Sequence, residues 1–197
     1  MDRSRSPPRV RVSIPPVSEW TFVKTSTDGV IPTSMVIRHG GKIIEMAVNN
    51  VVSPFEPSSF IENCYRKSLT LRLPTEWADP FECMEACLRA EVSQQATRFF
   101  DTPQTPEQIE EMYSPVSKKV GDYPRNLRCK INTTGSTSTR YWAADKTHMK
   151  APETLVNTRW NARVVLNGLW FSGDKWGLVI DATDLMIVEE PAFECPF

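Results

Sequence analysis

The sequence predicts a mainly β fold of the α+β kind, with a helical insertion between early and late strands. Three observations predict it. Segments of alternating apolar and polar residues bounded by Gly, Pro and Asp turns occupy both halves of the chain. A stretch with three-and-four spacing separates those halves. The two longest β-type runs, 159–171 and 176–189, are joined by a tight Ser-Gly-Asp-Lys turn.

Length and composition set the frame. The chain has 197 residues, of which 40% are apolar and 24% charged, which suits one domain with a real core. No apolar run approaches the roughly 18 residues of a membrane span. The basic start, MDRSRSPPRVRV, lacks the apolar segment of a secretory signal, so the expected location is inside the cell, with RSRSPPR open as a phosphorylation site, a weak nuclear address or a solvated tail. The five cysteines, at irregular spacing, are expected as free thiols in a reducing compartment.

Taken in order, residues 1–17 are rich in Arg, Ser and Pro and are expected as a disordered basic arm. A single domain spans 18–190, with the helical insertion at about 75–121 and a C-terminal tail at 191–197. From Trp20 the pattern is β-like: WTFVKT, a turn at Asp28-Gly29, TSMVIRH, a turn at Gly40-Gly41, then KIIEMAVNNVV. The Gly-Gly turn suggests that the strands on either side of it pair as a hairpin. Pro54 and Pro57 mark a corner, and KSLTLRL gives a fourth strand.

In the insertion, Phe81, Met84, Leu88, Val92, Gln95 and Phe99 form one stripe on a helix predicted from about Asp79 to Phe100. Asp79 is its candidate cap and Pro80 its first turn. Cys83 and Cys87 are expected to be buried on it, and its acids to face water. A second helix is predicted from Thr105, with Pro106 at its first position, to about Tyr113. Strands return at Asn126–Asn132 and Arg140–Ala143, and a connection without periodicity covers 144–158.

Charge is segregated along the chain. The net charge is −1, yet residues 75–111 carry nine acids against Arg89 and Arg98, while 116–163 carry ten Lys and Arg against Asp122, Asp145 and Glu153. Only charges within about 8–10 Å of a ligand act strongly at physiological salt, so a neutral total is compatible with one strongly positive face. Arg125, Arg128, Lys130, Arg140, Lys146, Lys150, Arg159 and Arg163 share their region with Tyr123, Tyr141, Trp142 and Trp160. Cations that track phosphates, interleaved with rings that stack on any base, suit a single-stranded nucleic acid groove. Along 159–171, alternation puts Arg159, Asn161, Arg163, Val165 and Asn167 on one face. Trp160, Ala162, Val164, Leu166 and Trp170 fall on the other, inward one.

Other chemistry lacks a pattern. Cys83 and Cys87 share a helical face, but His39 and His148 lie in unrelated segments and there is no CxxC, so no metal and no cofactor is expected. Asp174 is a turn residue, and strand parity would put Asp181 and Asp184 on opposite faces, against a carboxylate pair holding Mg²⁺. No phosphate loop or nucleophile motif appears, so no enzyme is expected.

The succession VVSPFEPSSF, RKSLTLRL, a helical segment, GDYPRNLRCKIN and VVLNGLWFSGDKWGLVIDATDLMIVEE resembles the OB-fold single-stranded-DNA-binding proteins of large DNA viruses. It covers roughly residues 20–190. Glu56 departs from it, at a corner where Gly is commoner. The resemblance implies an OB-like antiparallel β-barrel that binds single-stranded DNA without sequence preference in replication, recombination or repair, in the nucleus or at a site of DNA replication. On that reading Arg125, Arg128, Lys130, Arg140, Arg159 and Arg163 contact phosphates, with Lys146 and Lys150 nearby. Tyr141 and Trp142, with Tyr123 and Trp176, stack on bases. The acidic end closing on Phe197 is similar to the tail of bacterial single-stranded-DNA-binding proteins, and implies docking of replication or repair proteins on that residue. RNA binding, self-association, and a protein-interaction or assembly module on the same barrel stay open as alternatives.

Overall fold

A computed structural model describes residues 14–25, 34–59, 61–62 and 64–188. The Asp28-Gly29 turn, most of the basic arm and the tail with Phe197 lie outside the described residues. A short 3-10 turn at Val17–Glu19 leads into β1 (Trp20–Lys24), β2 (Ser34–His39), β3 (Ile44–Val52) and β4 (Arg66–Arg72). The insertion follows, as α1 (Thr75–Gln94), α2 (Ala96–Phe99) and α3 (Pro106–Met112). The late strands are β5 (Tyr113–Ser114), β6 (Ser117–Lys118), β7 (Asn126–Asn132), β8 (Arg140–Trp142), β9 (His148–Met149), β10 (Arg159–Ser172) and β11 (Lys175–Ile187).

Five of these strands close on themselves in the order β3, β4, β7, β11, β10 and back to β3. Neighbours run antiparallel except β7 and β11, which are parallel. A ring whose last strand lies between the third and fourth, parallel to the third, is the OB arrangement, a partly open Greek-key barrel. The open places are visible in the pairing. β3 meets β4 only at Val52 and Arg72, and β7 meets β11 only at Lys130 and Asp181. By contrast β4 and β7 pair over seven residues.

Alternation decides which side chains fill the ring. Leu69 and Leu71 of β4, Leu127, Cys129 and Ile131 of β7, Trp160, Val164 and Leu166 of β10, and Leu178, Ile180 and Leu185 of β11 are buried. Their sequence neighbours Ser68, Thr70, Arg128, Lys130, Arg163 and Asn167 face outward. α1 adds Trp77, Phe81, Met84, Leu88 and Val92 to the same core.

Several expectations need correction. α1 begins at Thr75, four residues before Asp79, which therefore caps nothing. Pro80 lies inside the helix, and the Glu76 carbonyl it leaves without an N–H is on an exposed residue that water can serve. Cys83 and Cys87 are exposed, because the buried stripe runs through Met84 and Leu88. Not every acid faces water. Glu85 is buried and accepts hydrogen bonds from the Tyr113 hydroxyl, the Val116 and Ser117 amides and the Ser117 hydroxyl. It anchors residues 113–117 to the helix. Burial first, and then the Glu85 charge, push the Tyr113 hydroxyl pKa well above its ordinary value. The α3 start matches expectation, with a reciprocal cap between Thr105 and Gln108.

β2 and β3 do not pair as a hairpin. Gly40 and Gly41 both take positive φ, and the turn closes between His39 and Lys42. Beyond it the two strands lie in succession along one edge of β10, β2 against Gly168–Trp170 and β3 against Arg159–Leu166. The arm expected at 1–17 also yields its last residues to the fold. Val17 is buried, and the Pro15 carbonyl accepts from the Trp20 indole at 3.0 Å.

Candidate nucleic-acid interface

The outer face of the ring carries two clefts. The larger, about 650 Å³, is lined by Arg66 and Ser68 of β4, Arg128 and Lys130 of β7, Asn167 of β10 and Val179 of β11, with β2 and Ser114 at its margins. Parity places these side chains outward on neighbouring strands. A polar network fixes them. Arg66 Nη2 donates to Asp181 Oδ1 at 2.6 Å, Asn167 Nδ2 donates to Asp181 Oδ2 at 2.7 Å, and Lys130 Nζ donates to Ser68 Oγ at 2.7 Å. Arg128 is exposed, and its side-chain hydrogen bond among the described residues is a long one to Ser114, at 3.4 Å.

Three cations thus line one cleft, and Arg66 among them is paired with the Asp181 carboxylate. Partial burial lowers the Lys130 pKa below its ordinary value, and the positive charges of Arg128 and Arg66 lower it further. An anion placed among them would relieve that repulsion. At the far end of the same strands Arg72 stands opposite Asn126, with its Nε and the Asn126 Oδ1 buried and without partners.

The second cleft, about 510 Å³, lies further along β10 and β11. Ala47 and Asn49 of β3, Arg140 and Trp142 of β8, Lys146, Asn161 and Arg163 of β10, and Asp184 and Met186 of β11 line it. Asp184 is its hub. Arg140 grips the carboxylate in a fork, Nε to Oδ1 at 2.8 Å and Nη2 to Oδ2 at 2.9 Å. The Trp142 indole N–H and the Thr183 hydroxyl donate to the same group at 2.9 and 3.0 Å. Arg163 stands 3.8 Å from it. Burial pushes the Asp184 carboxyl up, but the donors from Arg140, Trp142 and Thr183 together outweigh it and hold its pKa below the ordinary value. The same pairing raises the Arg140 pKa.

The predicted site residues therefore separate. Arg128 and Lys130 meet in the first cleft, and Arg140, Trp142, Lys146 and Arg163 in the second. Lys150 and Arg159 are exposed beyond the second, and Tyr123 is exposed shortly before β7. Three residues serve the fold instead. Tyr141 points inward, its ring edge-on to Trp160, because β8 places it on the opposite side from Trp142. Trp176 is fully buried, donates its indole N–H to the Ile109 carbonyl at 2.9 Å and packs on Tyr113. Arg125 is mostly covered and ties Glu82 of α1 to Ser117.

Two further corrections come from bulges. A register shift between Leu166 and Gly168 lets Leu169 turn inward, leaving Trp170 half-buried at the margin of the first cleft rather than in the core. A second shift, between Arg163 and Val164, skips Thr183, so Asp181 and Asp184 both face outward. They remain apart, each in its own network, and no group of three or more His, Cys, Asp or Glu among the described residues could hold a metal.

Arg66 and Arg72 escaped the sequence reading, although the alternation applied to 159–171 would have found them in RKSLTLR. Exposed rings were missed as well. Phe55 and Tyr65 are 61% and 59% exposed in the loop between β3 and β4. Ser58 pairs with Ser68 and Thr133 holds the Tyr65 carbonyl, so this loop runs beside the first cleft. Nothing local marks these rings as exposed; only the ring closure reveals it. No helix among the described residues is long and apolar enough to cross a membrane.

No family model matches the chain, and no curated protein matches it. Among solved structures it is similar to the single-stranded DNA-binding protein from bacteriophage Enc34 in complex with ssDNA. The identity is 11% and the TM-score 0.48, over 86% of this chain and 96% of that one. A second structure of the Enc34 protein gives 11% and 0.49, over 90% and 96%. It is also similar to gp2.5, a single-stranded DNA-binding protein encoded by bacteriophage T7, at 14% and 0.39 over 77% and 88%.

Proposed function

We propose that this chain binds single-stranded DNA without sequence preference, in replication, recombination or repair, along the outer face of β4 and β7. The observation that carries the reading is the convergence of Arg66, Arg128 and Lys130 on one cleft, where Arg66 is paired with Asp181 and the two arginines disfavour the charged form of Lys130. A polyanion supplies the missing negative charge. This is also the face by which OB barrels hold oligonucleotides, together with the loop that Phe55 and Tyr65 occupy here. Rings exposed beside a cationic track can stack on bases of any identity, at about 1–3 kcal/mol each. Tyr123, near the start of β7, extends the set.

The test is a fluorescence titration with labelled oligo(dT) and oligo(rU) at low and high salt. Submicromolar binding of the DNA that weakens steeply with salt is expected, and Arg128→Ala and Lys130→Ala should each reduce the salt slope by about 0.7. Absence of binding at low salt overturns the reading, and a preference for oligo(rU) transfers it to RNA.

A further inference from the structure

We infer that the second cleft is a separate subsite for one nucleotide of the same strand, with Trp142 as the stacking wall and Lys146 and Arg163 as the phosphate contacts. The inference rests on the proposed function but assigns it a second place on the molecule. The cleft's volume of about 510 Å³ admits a nucleobase with its sugar and phosphate. Ala47 and Met186 give it apolar surface, and Arg140, Lys146 and Arg163 outnumber the one acid, Asp184, in its lining.

The indole is held ready. Its N–H is committed to Asp184 at 2.9 Å, His148 abuts it edge-on at 5.5 Å, and the Arg140 guanidinium lies 5.9 Å from its centre. Those contacts fix the ring's plane before any ligand arrives, so little conformational freedom is lost when a base stacks. Asn161 is similarly oriented, since its Oδ1 accepts from the Asn50 amide at 3.1 Å, which leaves its N–H₂ group as the free end.

The two arginines differ in what they can offer. Arg140 is spent on Asp184, its fork closed on both carboxylate oxygens. Arg163 is not: its nearest acids stand at 3.8 and 3.9 Å, beyond good hydrogen-bond range, and its side chain is half exposed. Lys146 projects from the β8–β9 turn with a positive φ and is exposed. Asp184 thus acts as a positioning residue that holds Trp142 while leaving Arg163 and Lys146 for phosphate. Asn167 in the first cleft and Arg163 in the second are four residues apart on β10, about 13 Å. A strand crossing that distance along β10 and β11 would join both sites, within the roughly 4–16 nucleotides that OB barrels occupy.

The test compares labelled oligo(dT) of about 5 and about 20 nucleotides, short and long on that scale, with the wild type and the variants Trp142→Ala, Trp142→Phe and Lys146→Asn. Asparagine suits the positive φ at position 146. Trp142→Ala and Lys146→Asn should each weaken the long oligonucleotide about 5–10-fold while changing the short one less than twofold, on the scale of one stacking or phosphate contact. Lys146→Asn alone should lower the salt slope, by about 0.7. Trp142→Phe keeps a ring and should retain most of the affinity, which separates stacking from a loosened fold. If the wild type binds the long strand and both variants bind it equally well, the second subsite is overturned and the first cleft stands. If the wild type binds neither strand, both readings fall.

Discussion

Tyr141 and Trp142 are adjacent in sequence and lie on opposite sides of β8, so the same truncation has different meanings at each. The Tyr141 ring is buried against Trp160, and its removal should cost roughly 3–5 kcal/mol of stability, as for other large core aromatics. Tyr141→Ala is therefore expected to lower the thermal midpoint strongly. Tyr141→Phe, which keeps the ring, should change stability and DNA affinity little in parallel melting and titration measurements. An affinity loss in Tyr141→Phe at unchanged stability would return this residue to the interface. A three-residue strand offers too short a pattern for parity to be assigned from sequence, which is why basic and aromatic content was legible here and orientation was not. Asp184 gives the corresponding pH test. Its pKa is depressed in the fold, so it adds stability at pH values above its unfolded value, ordinarily 3.8, and that contribution is lost as pH falls through the lower folded value. Asp184→Asn should be less stable at neutral pH, and its stability should fall less steeply on acidification below about pH 4 than that of the wild type. Equal acid slopes in urea titrations would remove Asp184 from that account.

At the scale of elements, each strong run in the sequence became a strand, and the three-and-four stripe expected on one helix became α1, starting four residues early, and, past a break at Gln95, α2 with Phe99. Period two holds only while the ladder is regular. The shift between Leu166 and Gly168 redirects Trp170, and the one at Arg163 brings Asp181 and Asp184 to the same face. A bulge depends on how a partner strand docks, so no local pattern announces it. Gly168 shows the cause directly. A Cβ built there would lie 2.0 Å from the Met35 carbonyl oxygen, in the backbone of β2, so β2 can approach β10 only where that side chain is missing. The sequence marks a glycine inside a strand but not what comes close to it. Gly168→Ala is expected to push β2 and its partner β1 off the ring, at a cost of about 1–3 kcal/mol. In hydrogen exchange the loss of protection should concentrate in β1 and β2 and spare β4 and β7. Wild-type protection in β2 would refute the close approach.

For the whole molecule, the ring explains how a chain of net charge −1 can present a cationic face, since the insertion carries its acids on helices while β4, β7, β8 and β10 carry the cations outward. That segregation was legible as counts along the chain, whereas the division into two clefts required the pairing order. The ring also has an expected point of weakness, because the backbones of β7 and β11 pair at a single place, Lys130 with Asp181. Cys129 sits beside that seam, fully buried, its thiol pKa pushed up to about 12, first by burial and then by the Asp181 charge. Cys83 and Cys87 on α1 are exposed. Replacing Cys64, Cys83, Cys87 and Cys195 by Ser leaves Cys129 as a single reporter thiol. If the ring opens only by global unfolding, its labelling by a thiol reagent should be negligible in buffer and should rise with urea at the midpoint seen by circular dichroism. Labelling well below that midpoint would show that β7 parts from β11 while the rest of the core persists. Bound oligo(dT), which would bridge β7 and β10 through the first cleft, should then suppress it in proportion to the occupied fraction.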